Sequence, residues 1–176
     1  MTQQELNEIL RKHKLWLDGK EGGERANMQS AHMRSANMQS ANMQSAHMRS
    51  ADMQCANMQR ADMQCADMRY ADMQCADMRY ADMRYANLRN ANMQRANIDY
   101  SAWPLWCGSL KAHVDDRIAI QLLYHTLSVV QNSPYVSEEL KRTLLTEPVV
   151  DIANRFHRVD ECGALEVYEG ESHDEQ

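Results

Sequence analysis

Between Ala26 and Tyr100 the apolar positions recur with a period of five. Alanine opens each of fifteen units, and two residues later comes Met in thirteen of them and Leu88 or Ile98 in the others. Position two is Asn, Asp or, twice, His (His32, His47); position four is Gln, Arg or once Asp99. Position five drifts from Ser (Ser30 to Ser50) to Cys, Arg, Tyr and Asn. This period suits neither regular element. In an α-helix five residues advance about 500°, so successive Met side chains lie about 140° apart and draw no stripe. In a straight strand an odd period sends successive Met side chains to opposite faces. Ala and Met, two apart, do share a face of a short extended piece. A chain that turns a corner once per unit therefore hides every Ala–Met pair and leaves positions two, four and five to solvent.

The flanks follow other patterns. Thr2 and Glu5 form a capping box, and Leu6, Ile9, Leu10, His13 and Leu17 fall on one helical face. Gly19, Gly22 and Gly23 end that helix. After Tyr100 the period stops. Trp103-Pro104-Leu105-Trp106 reads as an aromatic plug for the last coil. The pattern predicts a helix over His113–Asn132, with Ile118, Leu122, His125, Thr126 and Val129 on one side, ended by Ser133-Pro134. A second helix is predicted from Ser137 to Leu145. A third begins at Thr146 and Pro148, with Val149, Ile152, Ala153 and Phe156 apolar, and stops at Gly163. The acidic tail from Glu166 reads as mobile. The expected organisation is a helix and Gly-rich link over 1–25, a repeat over 26–100, a helical module over 101–163 and a tail over 164–176.

The unit A-[DN]-M-x-x, in register fifteen times, resembles the A-[DN]-L-x-x unit of the pentapeptide-repeat family. The lead-in H-K-L-W-L-x-G-K-E-G-G from His13 is also similar to that of some members. The resemblance implies a mainly β fold, a right-handed quadrilateral β-helix with one unit per side and four per coil. An N-terminal capping helix and a C-terminal α-helical module would flank it. Residues twenty apart should then stack. Met where the family usually has Leu or Phe implies a more adaptable core.

Charge narrows the function. The repeat carries seven Asp against eight Arg, whereas residues 101–176 carry thirteen acids and six bases. No basic block points to nucleic acid. Apolar runs are too short for a membrane span, no apolar leader follows Met1, and five Cys suit a reducing, cytoplasmic setting.

Candidate chemistry is sparse. The Met spacing assigns these side chains to the core rather than to a soft metal. Cys55, Cys65 and Cys75 fall at outward positions. With a coil of twenty residues Cys55 and Cys75 stack about 4.8 Å apart, but parallel Cβ vectors suit a disulfide poorly, so inert ladder thiols are expected. Cys107, His125, His157 and Cys162 have tetrahedral zinc chemistry, though no CxxC knuckle, and packing is the competing reading. Arg49, Arg69 and Arg89 stack on one side, as do Tyr80 and Tyr100, with Tyr70 and Tyr85 near in height; exposed Arg beside Tyr suits a binding surface. No catalytic motif stands out, so no enzyme is expected.

These readings converge on a non-enzymatic scaffold that presents flat solenoid faces to a protein partner, with the C-terminal helices as the candidate surface for a homodimer. An alternative comes from the resemblance: some family members bind type II topoisomerases such as gyrase by mimicking the DNA duplex, and dimerise through C-terminal helices. That mechanism needs a strongly negative surface, and the near-neutral repeat speaks against it. A zinc-stabilised interaction module is the other alternative.

Overall fold

The computed structural model describes residues 1–104 and 111–169. It divides into two compact units, Met1–Asp115 and Asp116–Gln176. The division falls inside the predicted helical module, because Ala102, His113 and Asp115 still bond to the repeat.

In the first unit, position-two residues twenty apart pair in parallel, from Asn27 with His47 up to Asp82 with Ala102. With a five-residue unit this register makes four units per coil. Each side contributes a single bridging residue, since the chain leaves the extended conformation at every corner.

One unit, Ala66–Tyr70, shows why the period is five. Ala66 N–H donates back to Met63 C=O (3.1 Å), closing the preceding corner. Asp67 N–H reaches Ala46 C=O (3.0 Å) in the coil before, and Met68 N–H reaches Asn87 C=O (2.9 Å) in the coil after. Arg69 N–H donates to the Asp67 side chain (3.2 Å). Tyr70 N–H donates to Arg89 C=O (3.0 Å). Every backbone donor in the unit is thus satisfied, as burial demands.

Two positions carry the corner. The position-five residue has positive φ in all fifteen units, between 54° and 61°. That is the left-handed region, and with the bond closing across it the corner has the φ signs of a type II turn. A type II turn prefers Gly there, yet Ser, Cys, Arg, Tyr and Asn fill it at a cost of about 1–2 kcal/mol each. Position two explains its own composition. Each of its Asn and Asp side chains accepts the backbone N–H two residues on, an Asx turn. The recurrent Asp is therefore a structural corner residue, as its repetition suggests.

Inside, the Met residues from Met28 to Met93 are 2% exposed or less, and Leu88 and Ile98 take the same slot. Pairing also continues past the end of the repeat. Ala102 bridges Asp82, and His113 bridges Asn92 with one residue inserted in the register. Asp115 lends a carboxylate oxygen to Arg95 N–H (2.6 Å), where a backbone carbonyl serves in earlier coils. His113 is consequently extended rather than helical. Of the predicted plug, Pro104 is buried and Trp103 partly so, while Leu105 and Trp106 lie outside the described residues.

Helix α1 (Gln3–Leu17) has the predicted capping box at Thr2 and Glu5. It ends in a Schellman motif with Gly19 at φ 65°, closed by Lys20 N–H to Leu15 C=O (2.8 Å) and Gly19 N–H to Trp16 C=O (3.1 Å). Gly23 is required by contact: a Cβ there would stand 2.3 Å from Trp16 N.

The second unit holds α2 (Asp116–Asn132), α3 (Glu138–Leu144), α4 (Glu147–Ala153) and α5 (Val159–Cys162). Its core gathers Tyr124, Leu127, Val130, Leu145, Val150, Ala153, Phe156 and Leu165. The buried side of α2 is Ile118, Gln121, Tyr124, Leu127 and Val130, which shares only Ile118 with the expected face. His125 and Thr126 are exposed and Val129 is 67% exposed. Tyr124 decides the face: its ring stacks on Phe156 (4.7 Å) and its hydroxyl donates to Gly163 C=O (2.5 Å). The start of the tail is not free either. Leu165 is buried, the Asn154 side chain pairs with both its N–H and C=O, and Tyr168 N–H donates to Leu145 C=O.

Candidate interaction surface

Because the Ala and Met side chains are buried and the backbone of each unit is largely taken up by neighbouring coils, the chemistry a partner could meet is the outward set at positions two, four and five. The register sorts position five into four corner columns. One runs Ser40, Arg60, Tyr80, Tyr100; another Ser30, Ser50, Tyr70, Asn90. The third is Ser35, Cys55, Cys75, Arg95, and the fourth Ser45, Cys65, Tyr85. Serine fills all four corners of the first coil, and Tyr70, Tyr80, Tyr85 and Tyr100 stand in the third and fourth.

Tyr80 and Tyr100 stack as expected, with centroids 4.7 Å apart and planes 3° from parallel. The Arg60 guanidinium lies 5.7 Å from the Tyr80 ring, continuing that column with a cation–π contact. Sequence reasoning missed Arg60, although its spacing of twenty from Tyr80 is the signal that finds it. Tyr70 lies under a different cation, Arg49, at 5.6 Å. Tyr85, on a third corner, is 71% exposed. The four tyrosines expected to be exposed are all exposed.

The three stacked arginines do not act alike. Arg49 covers Tyr70, and Arg69 is bound to Asp67 through both side-chain oxygens (2.8 and 2.6 Å). Arg89 is exposed. Arg79 and Arg84 repeat the Arg69 arrangement with Asp77 and Asp82. Hydrogen bonds from these arginines hold the Asp67, Asp77 and Asp82 carboxyls below their ordinary range. Between coils, position four reaches forward to position two: Arg34 to Asp52 (2.6 Å), Gln44 to Asp62 (2.5 Å) and Gln59 to Asp77 (2.6 Å). The faces are therefore charge-mixed lattices, and Arg49, Arg69 and Arg89 form no uniform basic strip.

At the N-terminal edge α1 supplies partners for the first coil. The Gln3 amide accepts Asn37 N–H and donates to Asn37 C=O, both at 2.9 Å, as a paired strand would. His13 is fully buried; its Nδ1 accepts Ala26 N–H (3.0 Å), so its Nε2 carries the proton donated to Gln44 C=O (3.0 Å). Burial lowers the His13 pKa.

Of the expected zinc ligands, Cys107 lies outside the described residues. His125, His157 and Cys162 are exposed, and His157 Nε2 accepts from Arg117 at 3.4 Å. Among the described residues, no group of three or more His, Cys, Asp or Glu side chains gathers to hold a metal. None of the described helices is long and apolar enough to cross a membrane.

A family model described as pentapeptide repeats matches residues 26–64, 41–79 and 71–101 in eight copies. The chain is similar to a solved pentapeptide repeat protein from Nostoc Pcc 7120, with 23% identity over 60% of this chain and 93% of that one, at a TM-score of 0.45. A pentapeptide repeat protein from the Arabidopsis thaliana thylakoid lumen is 19% identical over 69% of this chain and 76% of its own, at a TM-score of 0.38. No curated protein matches the chain.

Proposed function

Since residues 26–101 place this chain in the pentapeptide-repeat family, we propose that it is a non-enzymatic scaffold whose solenoid corners and faces dock a protein partner. The observation that carries this reading is the set of exposed tyrosines, Tyr70, Tyr80, Tyr85 and Tyr100, two of them under guanidinium groups. Aromatic and Arg side chains of this kind dominate binding energy where proteins meet. They add nothing to a core already closed by Ala and Met. The proposal takes the winding as right-handed and four-sided, with α1 as the cap of the first coil. The backbone partners supplied by Gln3 and His13 support that role, because an open ladder end would otherwise pair with other chains.

Duplex mimicry of a topoisomerase substrate is not favoured. It requires a continuous acidic stripe, and Asp67, Asp77 and Asp82 are each matched by an arginine two residues on.

The test is affinity capture from the native host with three baits: wild type, Tyr80→Ser/Tyr100→Ser, and Arg49→Glu/Tyr70→Ser. Serine already stands at φ near 55° at Ser30 and Ser50, so it fits these corners. Loss of a shared protein from one variant supports the reading. Identical prey from all three baits removes these corners from the interface.

A further inference from the structure

We propose that Cys55 and Cys75 form a two-coordinate site for a soft monovalent cation of the copper(I) or silver(I) class. The two residues occupy one corner column a single coil apart. Asp52 bridges Asp72 beneath that corner, and Cys55 N–H donates to Gln74 C=O (2.8 Å), which fixes the register. Both sit in the same left-handed conformation, at φ 54° and 58°. Equal backbone conformations in register aim the two Cα–Cβ bonds in parallel and hold the thiols about one coil rise apart, roughly 4.8 Å.

That separation discriminates among the things two thiols can do. A disulfide needs sulfurs about 2.05 Å apart and Cβ atoms about 3.8 Å apart, which parallel vectors at one coil rise do not supply. Two metal–sulfur bonds of about 2.3 Å, laid end to end, span about 4.6 Å. A linear S–metal–S unit thus bridges the column with little movement. Zinc prefers four ligands, and no third or fourth His, Cys, Asp or Glu joins the pair among the described residues. Thiolates and a low coordination number select a soft, univalent ion.

The surroundings agree. Both thiols are free and exposed, so an ion can enter. The shared register and matching backbone conformation keep the two side chains in one column. Loading one cation displaces two thiol protons and leaves a bis-thiolate complex of net charge −1. Arg95 stands next in the same column, and Arg34 is held by Asp52 beneath this corner (2.6 Å). Cys65 stands on a different corner with no cysteine above or below it, and so serves as a built-in control.

The test titrates the reduced full-length chain with silver(I) and counts bound ions by native mass spectrometry. Serine at Ser35 already occupies this corner, so Cys55→Ser and Cys75→Ser should fold, as circular dichroism will verify. Losing even a supporting group outside a ligand set weakens metal binding by about 10–100-fold, so losing a ligand should weaken it at least about 100-fold. We expect one tightly held ion in wild type and Cys65→Ser, that loss in Cys55→Ser and Cys75→Ser, and affinity rising with pH as two protons leave per ion. Silver held equally by Cys55→Ser, or not held by wild type, would overturn the proposal. So would preferential formation of a Cys55–Cys75 disulfide on treatment with diamide.

Discussion

The two compact units bury their side chains by different logics. In the solenoid every residue's environment follows from its place in the unit. Met63 and Met83 differ by one coil and by nothing else, because both fill the same slot under the same hydrogen bonds. In the helical unit no such translation exists. Two faces of α2 carry apolar residues, and the choice between them rests with Tyr124, which finds Phe156 and Gly163 far along the chain. Periodicity specifies the first kind of core locally, whereas the second kind is specified only by which distant partner a side chain meets.

Core truncation should give the largest effect and test whether this contrast is real. Met63→Ala removes a fully buried side chain between full coils, and Leu127→Ala does the same in α2. Each should cost about 2–5 kcal/mol in denaturant melts. The solenoid variant should lose protection in neighbouring coils first, as expected of stacked repeats read by amide exchange. Uniform loss across both units would break the comparison.

A corner substitution comes next. Asp67→Ala deletes the acceptor for Arg69 N–H and the Arg69 ion pair, whereas Asp67→Asn keeps the Asx turn. The first should cost about 1 kcal/mol and the second distinctly less. Equal losses would show that the ion pair, not the turn, selects the residue.

The edge of the solenoid adds a pH dependence. His13 must stay neutral for Nδ1 to accept from Ala26, and burial depresses its folded pKa below the ordinary 6.5. Its contribution is therefore complete above pH 6.5 and declines as pH falls through the folded value, because the unfolded chain takes up a proton that the folded chain refuses. Exchange of the Ala26 amide should accelerate over that window. The Asp67, Asp77 and Asp82 pairs respond separately, losing their contribution only as pH falls below 3.8. A flat His13 response would mean that α1 is held by Leu6 and Gln3 alone.

The smallest effect is also the sharpest check on α2. Val129→Ser, on the face that periodicity alone would have buried, should change stability by no more than about 0.5 kcal/mol. A cost approaching that of Leu127→Ala would restore the face expected from the pattern.

The repeat was legible because a side chain two residues from alanine, followed by a corner, has one way inward; coil length and the Met core follow from that together with the family resemblance. The Tyr80–Tyr100 stack was legible for the same reason, since translation by twenty residues carries any position onto its neighbour. Tertiary structure alone decided the rest. Arg49, with His47 rather than an aspartate two residues before it, turned to Tyr70 in the next coil. His113 continued the ladder instead of opening a helix, because Asn92 still offered it a bridging partner. Local spacing determines a structure when the fold repeats the spacing. Where a side chain must choose between partners of similar chemistry, only the packed chain makes the choice.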